Sequence, residues 1–202
     1  MTKIIVVFYS MTGNTALLAQ AVAQGAQEAG ATVKICQFPE LMPQERFNDR
    51  IKRVKEELKD IPLVTNDDIV WADGIAFGTP TRFGNMSSQM KNFIDQMGPL
   101  WIKGSLINKV GTLFTSVSSL HGGHESTILA SMIPLFHLGM IIIGLPYSEP
   151  ELSSLEVGGG SPYGASSVSG PKADIKPTKN DLRLAFAQGK RLAMISAKMC
   201  KE

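Results

Sequence analysis

The sequence predicts a doubly wound α/β fold: a five-stranded parallel sheet with helices on both faces. Three observations carry this reading. Five short apolar runs occur, at residues 4–9, 32–36, 74–78, 110–114 and 140–144, and their starts lie about 28, 42, 36 and 30 residues apart. Each interval fits a strand plus a crossover helix. The runs are continuous rather than alternating, as in strands covered on both faces, and the segments between them carry helical periodicity.

The first run, Ile4-Ile5-Val6-Val7-Phe8-Tyr9, leads through a hydroxyl-rich turn into a helix expected over about 15–29. Leu17, Leu18, Ala21, Val22, Ala26 and Ala29 form its apolar face, Gln20, Gln24 and Gln27 lie opposite, and Gly30 is a C-terminal stop. After the second run, the charged and Pro-bounded stretch 39–62 is expected to carry a surface helix around 49–59. Thr65-Asn66-Asp67-Asp68 is a capping cluster for a short helix ending near Trp71. Beyond the third run, Ser87 or Ser88 caps a helix running to about Met97. A helix over about 125–137 follows the fourth run, despite Pro134. The last helix spans about 178–199, with Leu182, Ala185, Phe186, Gly189, Leu192, Ala193 and Ser196 at helical spacing. The stretches 39–62 and 146–177 exceed a minimal fold of this type. Long loops of that kind are usually functional or part of an interface, with disorder the competing view for 157–176.

The bulk numbers bound the function. A chain of 202 residues fits one domain, residues 1–202, with a real core. It is 44% hydrophobic and 19% charged, with a net charge of +2. That is too balanced to imply nucleic acid or an anionic membrane as the partner. Cys36 and Cys200 are far apart and in no CxxC, so a core thiol and a tail thiol are expected rather than a disulfide or zinc site. No apolar run reaches the length of a membrane span, and the N-terminus enters a strand directly without a leader pattern. A soluble cytoplasmic protein is the expectation.

Ligands of open α/β sheets bind at the C-terminal ends of the strands. Three loops leave that edge. The first is Ser10-Met11-Thr12-Gly13-Asn14-Thr15, between a strand and a helix N-terminus. Unpaired N–H groups, the helix dipole and three hydroxyls make it a phosphate cradle. It is neither GxGxxG nor GxxxxGK[ST], which disfavours a dinucleotide loop and a P-loop. It holds no Lys or Arg, so dipoles and hydroxyls are left to neutralise the anion, and a terminal monophosphate such as that of FMN suits it. An ordinary capped turn is the bland alternative.

The second loop is Gly78-Thr79-Pro80-Thr81-Arg82-Phe83-Gly84-Asn85-Met86. Its backbone N–H groups could meet the polar edge of a flavin, with Arg82 near the electron-rich side of the ring and Phe83 as an apolar wall. The third is Thr115-Ser116-Val117-Ser118-Ser119-Leu120-His121-Gly122-Gly123-His124, whose small residues allow close approach of a flat ligand. His121 and His124 make an HxxH pair, but no further metal ligands stand nearby in sequence, so exposed or ring-contacting histidines are the better reading. Trp101 reads equally as a packing residue or a substrate wall. His137, among apolar neighbours, reads as structural.

Together these residues resemble the flavodoxin-like WrbA family of FMN-dependent NAD(P)H:quinone oxidoreductases. The resemblance rests on Ser10-x-Thr12-Gly13-x-Thr15 and on the stretch from Gly78 to Met86. It extends through Gln89-Met90-Lys91-x-Phe93-x-Asp95-Gln96, Leu100-Trp101, Gly158-Gly159-x-Ser161-Pro162-Tyr163-Gly164-Ala165 and the closing helix. It implies a flavodoxin-like sheet and FMN contacts from Ser10, Met11, Thr12, Gly13, Asn14 and Thr15, and from Pro80, Thr81, Arg82, Phe83 and Gly84. It implies further contacts from Ser116, Val117, Ser118, Ser119 and Gly122. His137 is implied at the flavin edge, where imidazole chemistry suits it to assist proton transfer, and Trp101 in the site for nicotinamide and quinone. Thr12 stands where many members carry an aromatic residue beside the nicotinamide, and the third loop is less glycine-rich and one residue longer than in some members. The family assembles as homotetramers in which neighbours complete each active site, a role that 39–62 and 146–177 fit.

The mechanism this implies is ping-pong. NADH or NADPH passes hydride to flavin N5 and leaves, and a quinone then takes its place and is reduced to the quinol. The principal rival is a flavodoxin-type one-electron carrier that docks on protein partners. Such carriers are usually strongly acidic, unlike this chain. An FMN reductase that releases its flavin and a scaffold that uses flavin only for assembly are further rivals.

Overall fold

A computed structural model of the chain describes residues 1–199; Cys200, the expected tail thiol, lies outside them. Parallel strands β1 (Lys3–Phe8), β2 (Thr32–Gln37), β3 (Gly74–Pro80), β4 (Val110–Val117) and β5 (Ile141–Ile142) stand in the order β2-β1-β3-β4-β5. This is the flavodoxin-like order, in which the chain winds first to one side of β1 and then to the other. The order explains why both faces of the runs are apolar. Ile5, Val7, Ile75, Phe77 and Leu113 point to one face. Ile4, Val6, Phe8, Ala76 and Phe114 point to the other.

Helices α1 (Asn14–Glu28) and α7 (Lys179–Met199) cover the second face. They pack closely through glycine. A Cβ on Gly25 would fall on the Phe186 carbonyl, and one on Gly189 on the Val22 carbonyl. Helices α3 (Asn66–Trp71), α4 (Ser88–Asp95), α5 (Gly98–Ile102) and α6 (His124–His137) cover the first. Thr65 and Asp68 cap α3 reciprocally, as the capping cluster predicts. The helix expected to reach Met97 ends at Asp95, and Trp101 lies in a separate short helix with Pro99 in its first turn.

The 39–62 stretch carries α2 (Asp49–Glu57), whose Asn48 cap accepts from the Ile51 N–H. It is anchored at Glu40, whose carboxylate accepts from the Tyr9 hydroxyl at 3.0 Å, Gln89 Nε2 at 3.0 Å and the Met42 N–H at 2.8 Å, and pairs with Lys55 at 2.6 Å. Burial alone would raise the Glu40 carboxyl; these donors, Lys55 foremost, hold it below the usual carboxylate range. The insertion thereby closes over the end of β1.

The fifth strand departs from the sequence reading. Only Ile141–Ile142 of the 140–144 run pair regularly, with Val110 and Gly111. The chain then leaves the sheet, turns through residues 146–165, and returns as β6 (Ser166–Val168), which pairs in parallel with Thr115–Val117. The 146–177 stretch thus interrupts the strand position beside β4 and supplies its upper half. No apolar run marks Ser166-Ser167-Val168; polar bonds hold it. Ser166 Oγ accepts from the Gly160 N–H at 2.7 Å and lies 2.8 Å from His124 Nδ1.

Candidate functional site

The loops after β1, β3 and β4 meet at the C-terminal edge of the sheet, tied by side-chain bonds. Thr15 Oγ1 and Ser116 Oγ, both buried, lie 2.8 Å apart and join the first loop to the end of β4. The Thr81 N–H donates to the Ser116 carbonyl at 2.9 Å, and Thr81 Oγ1 lies 2.6 Å from Thr127 Oγ1 on α6. The arrangement follows from strand order: β1, β3 and β4 are neighbours, so their C-terminal loops must be as well.

In the first loop, Gly13 adopts φ 103° as the N-cap of α1, a left-handed conformation that favours glycine. The N–H groups of Gly13 and Ala16 converge on Ser10 Oγ at 3.2 and 3.3 Å. First-turn amides have no intrahelical acceptors, and α1 carries no acidic side chain there. Asn14 is buried; its Nδ2 donates to the Ile175 carbonyl at 2.8 Å, while its Oδ1 has no partner. These residues fit the phosphate end of FMN: one short loop joins the hydroxyls of Ser10, Thr12 and Thr15 to a helix N-terminus whose first turn carries no acidic side chain.

The second loop is a tight turn closed by reciprocal backbone bonds between Arg82 and Asn85. Phe83, at φ 53°, and Gly84, at φ 76°, are left-handed, and the Phe83 ring stands fully exposed. A left-handed phenylalanine is uncommon. Arg82 reaches across the first loop, with Nη2 3.6 Å from the Met11 sulfur and Nη1 donating to the Thr81 carbonyl at 2.8 Å. Gly123 packs against Gly84, where its Cβ would lie 3.0 Å from the Gly84 Cα, so the third loop abuts the second. Val117 is buried, Ser118 and Ser119 are exposed, and the Gly122 N–H donates to the Ser119 carbonyl.

Of the HxxH pair, His121 is exposed and His124 is only 5% exposed. Burial lowers the His124 pKa below its ordinary value, against partial opposition from Glu125. The folded state therefore prefers neutral His124. Its stability contribution is full above the unfolded value of about 6.5 and is lost as pH falls from there through the depressed folded value. We expect His124→Gln to flatten the fall of Tm between about pH 7 and pH 5; coincident wild-type and variant slopes would exclude this linkage.

His137 and Trp101 lie elsewhere in the chain. Helix α6 starts at the site edge, and its 14 residues carry His137 about 20 Å away at ~1.5 Å per residue. There the Asn108 N–H donates to the Gly139 carbonyl, next to the beginning of β4. Trp101, 61% exposed, precedes that same corner. The chain therefore gathers the three loops but leaves these two residues at the opposite edge of its own sheet.

One residue escaped the sequence reading. The return of the chain through β6 lays 170–176 across the first loop, fixed by Asn14 and by bonds from Arg50 to the Lys172 and Ala173 carbonyls. Lys176 Nζ lies 3.6 Å from where a Gly13 Cβ would stand. The loop lacks a cation in sequence but has one beside it in space.

A parallel sheet in this order, with its strand-end loops gathered at the C-terminal edge, defines a protein of the flavodoxin-like class. Residues 2–148 match the NADPH-dependent FMN reductase family, to which the chain belongs. It is 45% identical over 202 residues to the NAD(P)H dehydrogenase (quinone) of Geotalea uraniireducens (strain Rf4), covering 98% of this chain and 100% of that protein. It is 46% identical to NAD(P)H dehydrogenase (quinone) 3 of Rhizobium meliloti (strain 1021), covering 98% and 94%. Among solved structures, it resembles a WrbA-like flavodoxin from Agrobacterium tumefaciens with a TM-score of 0.67 at 23% identity, over 98% and 99% of the two chains. It also resembles two-electron-reduced Megasphaera elsdenii flavodoxin with a TM-score of 0.57 at 18% identity, over 95% and 98%.

Proposed function

We propose that this protein is an FMN-dependent NAD(P)H:quinone oxidoreductase working by ping-pong hydride transfer. The observation that carries the reading is the convergence of the β1, β3 and β4 loops around an anion cradle, in a chain 45% identical along its length to an NAD(P)H dehydrogenase (quinone). When bound, FMN supplies the redox chemistry, taking a hydride at N5 and passing two electrons to a quinone.

The chain's residues bind, orient and exclude. Ser10, Thr12, Gly13, Asn14 and Thr15 hold the phosphate, with Met11 between it and Arg82. Pro80, Thr81, Arg82, Phe83 and Gly84 flank one side of the ring, and Ser116, Val117, Ser118, Ser119 and Gly122 the other. Arg82 offers a fixed positive charge at the electron-rich ring edge, where it favours the reduced cofactor. Thr12 and Trp101 face the exchanging substrates, and His137 holds a proton at the flavin edge.

Trp101 and His137 serve the site of a neighbouring copy. The corner that carries them is a patch of exposed apolar side chains: Trp101 and Ile102 on α5, Ile107 in the following turn, and Ile133 and Phe136 at the end of α6. A grouped apolar surface of this kind marks an interface, and a homotetramer would bring the patch of one chain to the loops of another.

The test is anaerobic titration of the FMN-loaded protein with NADH and then NADPH, followed by benzoquinone. Full bleaching of the flavin band and full recovery on adding quinone are expected. Failure of both nucleotides to bleach it would move the assignment to a one-electron carrier. Among the described residues no helix is long and apolar enough to cross a membrane.

A further inference from the structure

We propose that Lys176 is the counter-charge for the FMN phosphate and sets the preference of this site for a phosphorylated flavin. The inference rests on the FMN reading above and assigns a residue that lies outside the three strand-end loops.

The argument is electrostatic. The exposed Lys176 places its Nζ 3.6 Å from the Gly13 Cβ position at the N-cap of α1, with Val54 Cγ2 of α2 at a comparable 3.7 Å from the same point. The N-terminus of a helix is the positive end of its dipole, and a lysine there is unfavourable unless an anion lies between them. Among the described residues no acidic side chain pairs with Lys176 to supply that anion, although Asp174 is two positions away. The first turn of α1 has no acidic residue. Neither is the placement that of a loose tail: the Ile175 N–H donates to the Ser169 carbonyl at 3.0 Å, the Ile175 carbonyl accepts from Asn14, and Arg50 holds the turn before it. The backbone is thus fixed and two like potentials lie side by side, where a phosphate dianion relieves both.

The experiment titrates the flavin-free full-length chain with FMN and with riboflavin, following flavin fluorescence at low and high salt. The variants are Lys176→Gln and Lys176→Arg. Lys176→Gln should weaken FMN about tenfold, the scale of one charge-assisted contact, leave riboflavin unchanged, and flatten the salt dependence of FMN binding. Lys176→Arg should restore most of the FMN affinity. The proposal is overturned if Lys176→Gln binds FMN within about twofold of wild type, or weakens FMN and riboflavin equally. It is also overturned if the variant raises only the KM for NADPH, which would assign the lysine to the nucleotide substrate. If the wild type shows no preference for FMN over riboflavin, the FMN reading fails along with it. Normal wild-type FMN binding and bleaching with an inert Lys176→Gln would overturn this inference alone.

Discussion

Gly189→Val should leave little folded protein, and Gly189→Ala should lower Tm by about 6–12 °C, the equivalent of about 3 kcal/mol in a domain of this size. Glycine inside a helix is costly by about 1 kcal/mol relative to alanine, so glycines in α1 and α7 need a reason. Contact supplies it. A Gly189 Cβ would meet the Val22 carbonyl, a backbone group that cannot swing aside, and Gly25 faces the Phe186 carbonyl in the same way. Relief requires the helices to part, which opens the layer formed by Val22, Ala26, Leu184, Ala185 and Leu192. The cost reaches the site, because α1 carries the Gly13 turn at its N-terminus, so Gly189→Ala should also weaken FMN binding. Gly98→Ala is the control: nothing lies within 4 Å of its Cβ position, and its Tm should stay at or above wild type. A Tm for Gly189→Ala equal to that of the control would defeat the close-packing argument.

The parts of this molecule written locally were legible in sequence. Ile4-Ile5-Val6-Val7-Phe8 announces a strand with two buried faces, and both faces are buried in the sheet. Thr65 and Asp68 announce a cap because the bonds that make it span three residues. What needed distant chain segments was hidden. Ser166-Ser167-Val168 has no strand signature because Thr115–Val117, the Gly160 amide and His124 stabilise it, rather than an apolar run. Lys176 was invisible as a site residue because Asn14 and the 175 carbonyl are 161 positions apart. The resemblance puts His137 and Trp101 at the flavin, yet within one chain they occupy the other edge of the sheet. Periodicity describes a chain and not an assembly, so their route to a flavin is a question of quaternary structure.

That question has an experimental answer in mixed assemblies. A chain whose own cradle is broken, for example Gly13→Val, keeps an intact Trp101 and His137. A Trp101→Ala/His137→Ala chain keeps an intact cradle. Alone, the first should bind no FMN, because a branched side chain at φ 103° is strained and its Cβ sits in van der Waals contact with Lys176 and Val54. The second should bind FMN but turn over quinone at least about tenfold more slowly, the lower end of what a positioned catalytic group contributes. Refolded together, they form some sites with the cradle of one chain and the tryptophan and histidine of the other. If those residues act across subunits, the mixture must regain quinone turnover well above the average of its parents. If they act within their own chain, no mixed site is complete and the activity stays at that average. Ile133→Asp/Phe136→Asp is the companion variant. Two carboxylates in the apolar corner should split the assembly on a sizing column and abolish quinone turnover, while FMN, held by loops at the far edge of the sheet, stays bound. An assembly that survives the two carboxylates would place the interface elsewhere, and full turnover by the dissociated chain would remove the neighbour from the mechanism.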